Sequence, residues 1–564
     1  FAGLDLKSGD LAVMDTLRRE KNLLKQDTIE HSYPFCWRCR NPLIFRTTLQ
    51  WYMKIDHNDD RQRKLTALEK VRWFPERSLD RMRAFVTAQP DWCLSRQRFW
   101  GVGIPVFYCK KCGEAILSAP VIRKVAQLVN ESSAEVWYDD EKMGMVFKNL
   151  TCPECGASDL IREKDILDVW FDSSCSNLVV LESRADHNWP ADLYLEGSDQ
   201  HRGWFSLSLT VAMARRGEPP FKAVITHGFV LDKDGMAMHK SLGNAISPQD
   251  IVDRYGADVL RLWVASSEYF DDVRCGDEIL ERVVEAYRKI RNTIRFLLIN
   301  TADFNYQSDR VGDQEIKFID RYIRSRLQKV IEEALKGYND YEFHRVFHLL
   351  YQFCVVELSA VYFDILKDRL YTWPKRSIGR RAAQTVLYEI LESLVLLLAP
   401  ILSFTAEEAY QAMSGDKAES VFLNQMPRPS AGLRDEDLEM EFEQLFRVRA
   451  LVMRRLEIDR QAKNIGSSLE AKVLMAIEDE RTRSLVDKYL ENLPAFFIVS
   501  GIDLVEKEKL SAGSLYDNDI KLGVDIKRAE GSKCRRCWIY STEVGENDTY
   551  PDLCTKCVNA LEER

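Results

Sequence analysis

The sequence predicts an α/β fold followed by an all-α bundle, with cysteine-rich modules set into the first part and placed at the end. Three observations carry this. Up to about residue 275, short apolar segments such as Leu193–Leu195 and Ala223–Ile225 alternate with Gly-, Asp- and His-bearing turns, the rhythm of strands feeding loops. From Asp277 on, long segments place apolar residues at i, i+3, i+4 and i+7, the period of amphipathic helices. Ten of the 14 cysteines fall in C-x-x-C pairs.

The 564 residues suffice for roughly three or four domains at about 150 residues each. With 46% apolar and 30% charged residues, the composition is that of an ordinary globular chain. A net charge of −9 argues against a protein that coats nucleic acid non-specifically, but leaves room for local basic patches such as Arg447–Lys463, which read equally as a solvated helix face. The longest apolar run, Leu391–Phe404, contains Glu392 and Pro400 and reads as a buried helix, so no membrane span is expected. No secretory signal begins the chain, which makes metal ligands and buried thiols the first reading of its cysteines. The sequence opens at Phe1, inside ordinary domain sequence, as a piece of a longer protein does.

In chain order, the first pair is Cys36 and Cys39 in PFCWRCR. Two thiolates alone make an incomplete metal site, so either they are simply buried or their partners lie on other sequence. Cys109 and Cys112 with Cys152 and Cys155 suit a zinc ribbon carrying a loop, with Gly113 and Gly156 at the tight turns; a ribbon that has lost its metal reads the same way. The segment LEGSDQHRGWF, Leu195–Phe205, is a strand end, a turn and the start of the apolar helix Trp204–Ala214. Ligands bind at such carboxyl ends in open α/β sheets. Gly197 lets backbone approach a ligand and Asp199 is placed to accept from a ribose hydroxyl, although an ordinary capped strand–turn–helix has the same pattern. Thr226–Asn244 is a glycine-bearing hairpin followed by a loop with Lys240, Ser241 and Gly243; a lysine there can reach a polyphosphate or be a solvated charge. The helices are expected at Asp277–Asn300, Gln314–Gly337, Tyr341–Tyr371 and Arg380–Ala399. Cys534, Cys537, Cys554 and Cys557 close the chain with two knuckles that make a tetrahedral zinc site, since so small a unit cannot bury enough apolar area to fold without a metal.

Taken together and in chain order, DWCLSRQRFWG (Asp91–Gly101), DVWFDSS (Asp168–Ser174), LEGSDQHRGWF, the lysine loop and GADVLRLWVAS (Gly256–Ser266) resemble the isoleucyl-tRNA synthetases, class I aminoacyl-tRNA synthetases, over essentially the whole chain. LLLAPILSFTAEEAY (Leu396–Tyr410) resembles their helical anticodon-binding domain, and the tail resembles the finger that ends the bacterial enzymes. The resemblance implies the second half of a Rossmann-type nucleotide fold. Residues 1–45 would be the tail of an editing insertion and the return to the catalytic fold, 46–105 catalytic domain, 106–156 a zinc-ribbon insertion and 157–276 catalytic domain with the lysine loop. Residues 277–430 would be the helical anticodon-binding domain, 431–530 a C-terminal junction domain and 531–564 the zinc finger.

The resemblance also implies roles. Glu196, Gly197, Asp199 and Gln200 would line the aminoacyl-adenylate, His227 and Gly228 the adenine, and Trp170 and Trp204 the isoleucine pocket. Lys240 matches the second lysine of the KMSKS signature and would neutralise the ATP phosphates, an electrostatic role in an in-line displacement. The match departs at AMHKS: Ala237 replaces the first lysine and His239 the first serine, so one phosphate-facing cation is missing unless His239 or Lys233 substitutes. The HIGH signature and the body of the editing domain are absent, and in relatives the CWRC pair shares zinc with an earlier C-x-x-C pair. The expectation is therefore a C-terminal portion of an isoleucine–tRNA ligase, inactive by itself, with structural zinc, ATP and magnesium, tRNA(Ile) and isoleucine as partners, monomeric, cytoplasmic and off the membrane. The competing readings are a stand-alone tRNA-binding protein without catalysis, against which Glu196, Asp199 and Lys240 speak, and a valyl-type relative, against which LEGSDQHRGWF and the tail speak.

Overall fold

The computed structural model describes every residue except 37, 38, 46, 239–242, 563 and 564. The chain divides into two compact units, one of Phe1–Asn58 with Pro90–Asp172, the other of Asp59–Gln89 with Ser173–Arg564.

In the first unit, strand Phe107–Cys109 pairs antiparallel with Ala115–Ile116 and with Leu160–Arg162. Against this small sheet lie helix Ala119–Glu131 and the turn carrying Trp137, closing a core of Phe107, Ile116, Val121, Val125, Trp137 and Met143. Glu163 fixes the base of this module. Its Oε2 accepts from the Tyr108 hydroxyl (2.6 Å) and the Trp51 indole (3.0 Å), and its Oε1 from the amides of Lys164 (2.6 Å) and Asp165 (2.9 Å). Burial alone raises the Glu163 pKa, but the amide of Asp165 and the two side-chain donors outweigh it and hold the carboxyl below its ordinary value. The same burial, with Glu163 alongside, pushes Tyr108 up to about 12.

In the second unit, strands Arg72–Phe74, Ala223–His227 and Tyr194–Gly197 form a parallel sheet in that order. AVITH is buried along nearly all its length, as a strand covered on both faces must be. Leu68, Met82, Phe205, Leu209, Phe221 and Val224 pack between the sheet and its helices.

Beyond the sheet, helices run at Asp277–Thr301, Phe318–Asn339, Phe343–Gln352, Ile378–Leu398, Ser403–Ala412 and Glu436–Gln461. The Phe343 helix continues through a π-helical stretch, Phe353–Tyr362, to Phe363–Thr372. Phe343–Thr372 is long and apolar enough to cross a membrane by length and composition, yet 44% of its most apolar window is buried, with Phe353, Cys354, Leu358 and Tyr362 in the bundle core. Leu391–Phe404 is not one helix: the first ends at Leu398, Pro400 sits in the turn, and the next begins at Ser403. A four-stranded sheet ordered Gly501–Leu504, Ala471–Ile477, Leu522–Arg528, Leu515–Asp517 follows, and one continuous core reaches from Ile251 to Val524. Two of the five arginines in the basic run 447–463 are drawn into this core, while Arg447, Arg454 and Arg460 stay exposed. Arg449 donates to the Phe496 carbonyl (3.0 Å), and Arg455 sits between Asp459 (3.2 Å) and Asp525 (3.3 Å).

Helix Ala257–Ser266 joins sheet region to bundle by reading both sides of the turn at Pro400. Asp258, nearly buried, accepts from the amides of Phe404 (3.2 Å) and Thr405 (2.7 Å) at the start of one helix. One turn on, Arg261 donates to the carbonyls of Pro400 (2.7 Å) and Ile401 (3.0 Å) after the end of the other. Each charge meets the helix end of opposite polarity.

Candidate active site and metal centres

The strand register brings the two sequence-predicted segments together. Glu196 lies beside Thr226 and Gly197 beside His227, at the carboxyl ends of adjacent parallel strands. A Cβ on Gly197 would stand 2.8 Å from Asp199 Oδ1, so a side chain here would displace that carboxylate, and at an ordinary contact distance of 3.6 Å from the His227 ring. Glu196 and Asp199 are exposed, while Gln200, His227 and Gly228 are half-buried.

The turn between the Gly197 strand and helix Trp204–Arg216 is a 3₁₀ segment, Ser198–His201. Gln200 closes it: its Oε1 accepts from the Trp204 amide (3.1 Å), capping the helix, and its Nε2 donates to Asp199 Oδ2 (2.9 Å). His201 is fully buried behind the turn with its Nδ1–H donated to the Ser198 carbonyl (3.0 Å) and its ring stacked on Trp73. Burial holds its pKa below the ordinary value, so it braces the turn as a neutral imidazole. Trp204 stacks face to face on Tyr194, 4.0 Å between centroids, and its indole donates to the Ser173 carbonyl (3.0 Å), which makes a fixed aromatic floor. His227 donates from Nδ1 to the Gly228 carbonyl (2.7 Å), leaving Nε2 as the acceptor nitrogen.

The sequence-predicted Lys240 lies outside the described residues, with His239, Ser241 and Leu242. The base of its loop is described. Asp232 accepts from the amides of Asp234 (3.0 Å) and Met236 (2.8 Å) and from the Asn244 side chain (2.7 Å), which also donates to the Ala237 carbonyl (3.2 Å). The Asn244 bond, with the Met236 amide, holds Asp232 below its ordinary pKa. Trp170 belongs to the first unit, where Asp168 Oδ1 accepts from its amide (3.3 Å). Asp168 is buried and also holds the Trp92 indole (3.0 Å) and Arg96 (2.7 Å), tying DVWFDSS to DWCLSRQRFWG. The sequence reading gave Asp168, Asp232 and His201 no role; the D-x-D-G spacing at Asp232 was the one local signal available.

Both four-cysteine sets have their sulfurs within 4.8 Å of one another. Closest pairs are 3.5 Å (Cys109–Cys155), 3.6 Å (Cys112–Cys152) and 3.7 Å (Cys537–Cys554). Four thiolates at zinc-ligand distance stand about 3.8 Å apart in a tetrahedron, so both sets fit zinc. A shared knuckle shapes them. In each, the first cysteine's amide bonds five residues on and its carbonyl accepts from the amide four residues on, at a positive φ: Gly113 (79°), Gly156 (70°) and Trp538 (67°). Cys36 builds the same knuckle with Asn41 and Arg40 (59°), and the Cys39 amide points at Cys36 Sγ (3.5 Å). Among the described residues Cys36 and Cys39 join no larger ligand group.

Three known families match along the chain. "tRNA synthetases class I (I, L, M and V)" matches residues 8–276, "Anticodon-binding domain of tRNA ligase" residues 320–475, and "Zinc finger found in FPG and IleRS" residues 531–560. Isoleucine–tRNA ligases of Syntrophotalea carbinolica and Moorella thermoacetica are 44% and 46% identical to it over 100% of its length, and that of Thermotoga maritima 42%. The chain spans 61% of the length of each of these relatives.

Proposed function

We propose a function from one premise: the chain belongs to the class I tRNA synthetases of the isoleucine, leucine, methionine and valine group. It supplies part of an isoleucine–tRNA ligase, which joins isoleucine to ATP as isoleucyl-adenylate and passes the acyl group to tRNA(Ile). The observation that carries this is the junction of Gly197 with His227 at the carboxyl ends of two parallel strands, with the Asp199–Gln200 turn and the Trp204–Tyr194 stack beside it.

In the first step the isoleucine carboxylate attacks the α-phosphorus and pyrophosphate leaves, so catalysis is positioning and charge stabilisation. Glu196, Gly197, Asp199 and Gln200 line the adenylate; Gly197 admits it against backbone, and Gln200 holds Asp199 toward the ribose. His227 and Gly228 take the adenine, with Nε2 of His227 free of the bond that engages Nδ1. Lys240 meets the phosphates, and the isoleucine side chain is assigned by motif to Trp204 and to Trp170. Magnesium accompanies the phosphates of ATP. The two four-cysteine sets hold structural zinc, closed to chemistry by four thiolates, and Cys36 with Cys39 is half of a third site. The divisions at residues 45, 105, 156, 276, 430 and 530 are proposed as the domain plan by sequence motif, with one apolar core continuing across 276 and 430, and with tRNA(Ile) on the helical bundle. Eight of the cysteines stand in two sets that fit zinc, which suits a reducing, cytoplasmic setting, and a monomer off the membrane completes the reading.

The test is amino-acid-dependent pyrophosphate exchange by the full-length enzyme that contains this chain. Isoleucine should drive it and Lys240→Ala should slow it by about 2.7–4 kcal/mol, the loss for one preorganised electrostatic donor, with little change in isoleucine affinity. Exchange driven by valine or leucine in preference would overturn the assignment.

A further inference from the structure

The turn at His227–Gly228 is held from behind by a segment that the functional reading leaves without a role, Ser267–Asp272. The Gly228 amide donates to the Tyr269 carbonyl (2.9 Å), and the Phe229 amide to Asp272 Oδ1 (2.8 Å). The fit is tight: a Cβ on Gly228 would fall 2.2 Å from the backbone of Asp271. The Gly228 peptide also orients the imidazole, because its carbonyl receives the His227 Nδ1–H (2.7 Å). A displacement of the Tyr269 carbonyl therefore tilts Gly228 and turns the His227 ring.

Tyr269 is itself anchored on the bundle. Its hydroxyl donates to the Tyr341 carbonyl (2.8 Å) in the turn between helices Phe318–Asn339 and Phe343–Gln352. Its ring stacks on Phe343 (5.8 Å, 21° between planes), and its neighbour Glu268 pairs with His344 (3.0 Å). Burial, reinforced by the Glu268 carboxylate, pushes the phenol well above its ordinary range, so the hydroxyl stays a donor at any physiological pH.

We propose that Tyr269 is a positioning residue for the nucleotide side of the site: it sets Gly228 and, through it, His227, and takes its own position from the bundle turn at Tyr341–Phe343. This rests on the reading of His227 and Gly228 as the adenine site. Tyr269 touches no substrate. Its backbone and its side chain face opposite partners, so Tyr269 joins the nucleotide turn to the bundle directly, with Glu268 and Asp272 of the same segment as supporting contacts.

The experiment is steady-state pyrophosphate exchange by the full-length, zinc-loaded enzyme, with KM for ATP and for isoleucine measured separately and thermal melting as a control. Tyr269→Phe keeps the ring stack and loses one hydrogen bond, which should raise KM for ATP about three- to tenfold. KM for isoleucine and the melting temperature of the sheet region should hold. Phe343→Leu, on the bundle side and away from His227, should shift KM for ATP in the same direction, and the double variant should fall short of the product of the two effects. His227→Asn is the direct control and must raise KM for ATP. If it does so while Tyr269→Phe and Phe343→Leu leave both constants unchanged, or move them equally, the positioning role is overturned. If His227→Asn leaves KM for ATP unchanged, the adenine assignment fails, and the proposal with it.

Discussion

The two four-cysteine modules look alike at the sulfurs and differ in everything around them. In the ribbon, Cys109 and Cys152 are buried but Cys112 is exposed and Cys155 half-exposed, and the module has its own apolar core built on Phe107, Val121 and Trp137. In the tail finger all four cysteines are buried, and among the described residues the partly exposed side chains packed on them are Ile539, Val544 and Leu553, with Val558 buried nearby. The finger leans on the bundle by polar contacts: Arg536 donates to the Thr372 carbonyl (3.1 Å) and Lys556 pairs with Asp368 (2.7 Å). The same knuckle therefore does two jobs. In the ribbon a metal finishes a module that hydrophobic burial already supports; in the finger the metal is the core.

The sharpest way to break that comparison is to remove one thiolate from each. Cys554→Ser should unfold the finger, with loss of most of the about 10–16 kcal/mol that zinc supplies to such units. Limited proteolysis should then cut within residues 531–560, the span of the finger match, while the bundle keeps its helical circular dichroism. Cys112→Ser should release the ribbon's metal yet leave helix Ala119–Glu131 protected from hydrogen exchange. Equal protection loss in both modules would end the distinction.

The converse change follows in size. Trp137 is 2% exposed, donates to the Glu163 carbonyl (3.2 Å), and packs where a Cβ on Gly103 would lie 2.0 Å away. Trp137→Ala should destabilise the ribbon by about 3–5 kcal/mol, with zinc content retained in metal analysis. A ribbon that tolerates this change would be as metal-dependent as the finger.

A smaller effect concerns acid. Glu163 has its folded pKa depressed, so its contribution to the ribbon base is present above the ordinary value of 4.5 and is lost as the pH falls from there through the folded pKa. Melting of wild type and Glu163→Gln should thus differ above pH 4.5 and converge below it; a gap that widens on acidification would reverse the sign argued for this carboxylate. Smallest is Lys556→Met. Its pair with Asp368 is about a third exposed on each side, and its removal should weaken finger docking by less than about 1 kcal/mol with zinc still bound.

Much of this was legible in the sequence because it is local. C-x-x-C spacing fixes a knuckle, helical periodicity placed the long helices to within a few residues, and a strand ending in Gly-Ser-Asp-Gln announced a loop at a sheet edge. What stayed hidden is what depends on distant partners. Nothing near Tyr269 signals that its carbonyl meets Gly228 and its hydroxyl Tyr341, since a loop-to-loop hydrogen bond has no period. Arg455 on its helix reads as surface charge until Asp525 arrives from strand Leu522–Arg528. Trp137 reads as one aromatic among many until the ribbon closes over it. Leu391–Phe404 is the opposite case: Pro400 stood in the sequence, and the break after Leu398 follows from it.

The Asp258–Arg261 arrangement bears on how this chain can be dissected. A cut near residue 276, the point where strands give way to helices, looks natural on the page. It would strip helix Ala257–Ser266 from the bundle and leave the amides of Phe404 and Thr405 and the carbonyls of Pro400 and Ile401 without the charges that cap them. Leu262 and Trp263 would leave the same core, whose remaining side chains would then face water. A soluble bundle therefore has to start no later than Ser247, so that helix Pro248–Tyr255 keeps Ile251 in the same core, and a piece that starts at Asp277 should aggregate.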